Sequence, residues 1–117
     1  MKEIIIAFDI DGTILNNEGI PPDTPIHQRP ESTVNLEIIM LLQIFSKSMK
    51  NTKVIVWSGG GKEYAEKIVR RYGLEKYVYR CYTKQDYDES VDGKVDIAFD
   101  DIHSFNLAEK NLIVRMK

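Results

Sequence analysis

Ile4 to Phe8 form an unbroken apolar run that stops at two carboxylates one residue apart, Asp9 and Asp11, with Gly12 and Thr13 next. A short apolar run bounded by turn residues predicts a buried strand. From Ser32 to about Lys47, Val34, Ile38, Leu41, Leu42 and Phe45 recur at three- and four-residue spacing. That spacing predicts a helix, with Ser32 or Thr33 as its N-cap. Lys53 to Trp57 is a second buried-type strand, ending in Ser58 and the run Gly59-Gly60-Gly61. A helix then opens with Tyr64, Ala65, Ile68, Val69 and Tyr72 on one side and Gly73 placed to stop it. Tyr77 to Tyr82 predicts an aromatic-rich edge strand, followed by a polar run from Thr83 to Gly93. Val95 to Phe99 predicts a fourth strand ending in Asp100 and Asp101. A short helix around Ser104 to Lys110 and a last strand from Leu112 to Val114 complete the series. Strands alternating with helices predict an α/β fold, a parallel sheet with helices on both faces.

Composition changes this picture little. A chain of 117 residues predicts one domain over 1–117, and 43% hydrophobic with 29% charged residues is ordinary for a globular protein. The formal net charge of −2 gives no general pull toward polyanions or anionic membranes, so nucleic acid enters only as a candidate substrate. The one cysteine, Cys81, sits in an apolar and aromatic run, as expected of a half-buried strand residue. The N-terminus shows no secretory signal pattern and no apolar run reaches transmembrane length, so a cytoplasmic setting is expected. All four prolines, Pro21, Pro22, Pro25 and Pro30, fall between Asn16 and Glu31. This stiff segment predicts either a surface connector or a flap over the first strand's tip, with His27 and Arg29 its only candidate chemical groups.

The candidate chemistry lies at the strand ends. Ligands of open α/β sheets bind in the crevice at the carboxyl ends of the strands. If the first and fourth strands are neighbours, Asp9, Asp11, Asp100 and Asp101 converge there, and carboxylates that close require a cation. Oxygen donors without a His or Cys cluster point to Mg²⁺ rather than zinc. Ser58 followed by glycines at a helix start adds a hydroxyl and backbone N–H groups, an anion site in outline.

Phe8-Asp9-Ile10-Asp11-Gly12-Thr13, Val56-Trp57-Ser58-Gly59 and Phe99-Asp100-Asp101 resemble the first, second and fourth motifs of the haloacid dehalogenase-like phosphohydrolase superfamily, in the same order and at the same strand positions. The resemblance covers nearly the whole chain. It implies a three-layer Rossmann-like fold whose five strands run in the order 5-4-1-2-3, without a large cap domain. It implies Asp9 as the nucleophile that forms an aspartyl-phosphate and Asp11 as the general acid and base. Gly12, Thr13, Ser58 and Gly59 would bind the phosphate. Mg²⁺ would sit on Asp9, the Asp11 carbonyl and an acid of the Asp100-Asp101 pair. The third family motif is a lysine, here Lys84 or Lys94. Lys94 precedes the fourth strand and so starts roughly 20 Å from the acids, whereas Lys84 follows the third strand on the acidic side. Lys84 is therefore preferred.

The resemblance implies a Mg²⁺-dependent phosphomonoester hydrolase. An inactive binding module and a phosphotransferase of the same fold are the alternatives. A receiver-type signalling domain has the wrong order of acids, because here the middle strands end in Ser58 and near Lys84. Only about 44 residues separate Thr13 from Ser58, too few for a large cap. Capless members resemble open-sited enzymes that admit bulky phosphorylated substrates or take a lid from a partner subunit. Polynucleotide 3′-phosphatases are one such group, but they often carry an arginine where this chain has Gly60.

Overall fold

The unbroken apolar run becomes β1 (Ile4–Asp9), a strand with neighbours on both sides and almost no water contact. The computed structural model describes residues 3–15, 25, 28, 34–100 and, as backbone, 108–113. The other strands are β2 (Thr52–Ser58), β3 (Arg80–Thr83), β4 (Val95–Asp100) and β5 (Ala108–Ile113). They form one sheet in the order β3-β2-β1-β4-β5, and every pairing is parallel. A parallel sheet needs crossovers, and these are supplied by α1 (Leu36–Ser48), α2 (Lys62–Arg71) and a segment holding α3 (Glu89–Asp92).

The long helices lie on one face. Ile38, Ile39 and Leu42 of α1 and Ala65, Ile68 and Val69 of α2 share a core with Ile6, Phe8, Val54 and Val56. Phe8 stacks on Phe99 of β4, centroids 4.6 Å apart, which ties the two central strands together. Among the described residues both long helices thus share this face, which leaves only the short α3 for the other. Right-handed crossovers explain the arrangement: β1, β2 and β3 advance in one direction, so both intervening helices fall on the same side. The crossover from β3 to β4 runs back and belongs to the other side. There, Ile5, Ala7, Ile55, Trp57, Val95 and Ala98 are covered by Tyr82 and Tyr87. Tyr87 meets Trp57 and Tyr82 edge-on, at 5.4 and 4.9 Å between centroids, and its hydroxyl donates to the Gly93 carbonyl at 2.5 Å.

Several element boundaries differ from expectation. The cap of α1 is Asn35, not Ser32 or Thr33, which lie outside the described residues. The Asn35 N–H donates to the Ile14 carbonyl at 2.7 Å, and the Ile39 N–H donates to the Asn35 carbonyl. The helix therefore begins where the chain is fastened to the turn after β1. The third strand starts at Arg80, not Tyr77, because a turn closed by the Tyr77 N–H on the Leu74 carbonyl sends Tyr77 and Val78 against the helix-covered core. Residues 108–110, expected as the end of a helix, are strand. Their backbone pairs with β4 from Val95↔Ala108 onward, and sheet pairing outweighs the helix propensity of Ala-Glu-Lys. The expected flap at 16–31 lies outside the described residues except Pro25 and Gln28, as do His27, Arg29 and Val114. Among the described residues no helix is long and apolar enough to cross a membrane.

Candidate active site

Strand register alone assembles most of the site. Asp9 pairs with Trp57, so Ser58 lies one step further along β2. Phe8 pairs with Phe99, which brings Asp100 beside Asp9. Ser58 pairs with Thr83, which puts Lys84 just past the end of β3. All of these residues leave the same end of the sheet, the end expected to bind ligands.

The turn after β1 is built from its own backbone. The Thr13 and Leu15 N–H groups donate to the Ile10 carbonyl at 3.1 and 2.9 Å, and the Gly12 N–H donates to the Leu15 carbonyl at 2.8 Å. Gly12 has φ +83°, a conformation that a side chain would oppose. The tight turn leaves Asp9 8% exposed and folds Thr13 fully inside. The Thr13 Oγ1 has no hydrogen-bond partner among the described residues. A buried hydroxyl without a partner is uncommon and suits a site that binds an oxyanion. Asp11 is half-exposed, and the Tyr64 hydroxyl donates to its Oδ1 at 2.8 Å.

On the other side, the Lys84 ammonium forms an ion pair with Asp100. Asp100 is 0% and Lys84 14% exposed at the side chain, so water does little to screen the pair. The ammonium also lies 5.8 Å from the centre of the Trp57 ring, within cation–π range. The Trp57 Nε1 is buried without a partner among the described residues. Lys94, by contrast, stands just before β4, at the far end of the strand from Asp100. Asp101 lies outside the described residues.

The glycine run departs from the expected cradle of exposed N–H groups. The Gly60 N–H donates to the Ser58 Oγ at 3.0 Å, and the Gly61 N–H donates to the Ser58 carbonyl at 3.2 Å. The Lys62 N–H donates to the Thr83 Oγ1 at 2.8 Å, and the Gln85 Nε2 donates to the Gly59 carbonyl at 3.2 Å. Those donors serve the loop itself. What Ser58 offers a ligand is its own hydroxyl hydrogen, because its oxygen already accepts from Gly60. Tyr64, Thr83 and Gln85 were not foreseen as parts of the site. Tyr64 was hidden by its place on the apolar face of a helix, whereas Thr83-Lys84-Gln85 was visible as a polar run directly after a strand.

Asp9, Asp11 and Asp100 bring carboxylates to this end, and Lys84 brings a cation to Asp100. Among the described residues, no group of three or more His, Cys, Asp or Glu side chains gathers closely enough to hold a metal alone. Mg²⁺ asks for less: one or two carboxylates, the rest water and substrate phosphate. The all-oxygen donor set, with Asp9 and Asp100 on adjacent strands, fits it. Cys81, in contrast, takes no part. Burial pushes its thiol up to about 11, so it stays protonated and unreactive near neutral pH.

The chain matches no protein-family model, no curated protein and no solved structure.

Proposed function

We propose that this protein is a Mg²⁺-dependent phosphomonoester hydrolase that works through an aspartyl-phosphate on Asp9. The observation that carries the reading is the meeting of Asp9, Thr13, Ser58, Lys84 and Asp100 at one end of four parallel strand tips and their loops, with Asp11 beside them. The motif resemblance to haloacid dehalogenase-like phosphohydrolases assigns the same residues.

In this reading the Thr13 and Ser58 hydroxyls and the Lys84 ammonium hold the phosphoryl oxygens. An Asp9 carboxylate oxygen attacks phosphorus in line, and the ester P–O bond breaks. Asp11 gives its proton to the departing alkoxide. Asp11, now a carboxylate, takes a proton from water as that water attacks phosphorus, which releases phosphate and restores Asp9. Asp9, the Asp11 carbonyl and an acid of the Asp100-Asp101 pair would hold Mg²⁺. When bound, it would neutralise charge on the phosphoryl oxygens. The 44 residues between Thr13 and Ser58 leave too little chain for a large cap, which suits an open site and a bulky phosphorylated substrate.

The test is hydrolysis of a phosphomonoester panel, aryl phosphates included, with and without Mg²⁺. Mg²⁺-dependent turnover that vanishes in Asp9→Asn is expected. No turnover by the wild type across the panel would refute the proposal.

A further inference from the structure

Tyr64 occupies the first turn of α2, and its hydroxyl bonds to Asp11 across the mouth of the site. Helical side chains tilt toward the helix N-terminus, so a long residue in the first turn reaches beyond the helix end. Here that direction leads to the tip of β1. The ring could have packed wholly into the core beside Ala65 and Ile68, as its spacing suggests. Instead it is only partly buried, with its polar tip on a carboxylate.

Gly60 explains how the ring gets there. A Cβ on Gly60 would come within 3.3 Å of the Tyr64 Cδ2, closer than side chains normally pack, and would touch the Ser58 Oγ at 3.4 Å. The absence of a side chain at this position therefore makes room for the Tyr64 ring beside the Ser58 hydroxyl. The Gly60 N–H bonded to Ser58 and the Tyr64 hydroxyl bonded to Asp11 thus stand on either side of the space that the missing side chain leaves.

We propose that Tyr64 is a positioning residue for Asp11, restricting rotation of its carboxyl group so that proton delivery to the leaving oxygen is aligned. The proposal rests on the phosphohydrolase reading given above. Asp11 lies on a half-exposed turn, where a lone carboxylate would sample several rotamers. A neutral donor at 2.8 Å restricts that sampling without adding charge.

Leaving groups of different basicity separate this role from a structural one. The ratio kcat/KM reports ester cleavage up to the aspartyl-phosphate. A simple alkyl phosphate needs its oxygen protonated as it leaves, whereas 2,4-dinitrophenyl phosphate does not. Tyr64→Phe keeps the ring and removes only the hydroxyl. It is expected to lower kcat/KM on the alkyl ester about 10-fold or more, a part of what general acid catalysis contributes. On the dinitrophenyl ester it should stay within about 2-fold of wild type. Equal losses on the two esters, or no loss on either, would overturn the role of Tyr64 while leaving the hydrolase reading intact. Absence of Asp9-dependent turnover of either ester by the wild type would instead overturn the hydrolase reading and this role with it.

Discussion

From Asp9 to Leu15 the chain bonds to itself, backbone to backbone, within a single turn. The facing side of the site depends on Lys84 from the end of β3 and Asp100 from the end of β4, joined through side chains and roofed onto Trp57. The first arrangement forms wherever the local sequence permits the turn. The second places a carboxylate out of reach of water and sets an ammonium against it. Substitutions on the turn side should therefore cost chemistry more than stability, and those on the ion-pair side should cost both.

The largest expected effect lies on the turn side. Asp9→Asn should reduce phosphatase turnover by at least ~10³-fold, as loss of a nucleophile does, yet keep unfolding free energy within ~1 kcal/mol of wild type. Steady-state kinetics and urea denaturation together check it; a large stability loss would erase the contrast. Lys84→Met should lose activity and ~3–5 kcal/mol of stability, because the buried Asp100 loses its ammonium partner. Adding Asp100→Asn to Lys84→Met should return most of that stability, and failure to do so would mean the ion pair is not what holds this side. Lys94→Ala, at the other end of β4, should retain far more activity than the Lys84 variant.

A smaller effect appears at alkaline pH. The Cys81 thiol, raised by burial from 9.0 to about 11 in the folded chain, ionises first in the unfolded chain. Its contribution is intact below pH 9 and is lost as pH rises from about 9 to 11, at most ~2–3 kcal/mol. Burial also raises Tyr82 and Tyr87, so the thiol's share is isolated by comparing the pH dependence of denaturation in wild type and Cys81→Ala. The variant should lose less stability over that window. Smallest is Gly12→Ala, which forces a side chain to φ +83° and should cost ~1–2 kcal/mol by thermal or urea unfolding. A neutral result there would show that the turn is not held as tightly as its hydrogen bonds indicate.

The same contrast decides what could be read from the residues beforehand. The turn side is contiguous, and its acids, glycine and threonine are all visible at the end of one apolar run. Buried parallel strands were equally plain, because Ile4–Phe8 and Val54–Trp57 are short unbroken apolar runs and Val95–Phe99 is interrupted only by Asp96. The placement of Lys84 followed from strand direction, which needs no contact information. Other features depended on tertiary structure. Whether the N–H groups after Ser58 face a ligand or the loop depends on Thr83, distant in sequence from Lys62. The polar tip of Tyr64 depends on how far α2 sits from β1. The strand at 108–110 depends on the open edge of β4, which no local propensity reports.

Parallel pairing of β1 with β4 also has a consequence for the order of assembly. Asp9 and Asp100 stand side by side, yet about ninety positions of chain separate them. Closing so long a loop is entropically expensive, and contacts of this kind slow folding. During synthesis, a chain that has emerged only as far as Gly93 already carries Asp9, Ser58 and Lys84, but β1 still has an open edge. Lys84 then has no Asp100 to meet. The acidic centre is completed only when β4 docks, so an incomplete chain exposes a sticky strand without a finished site.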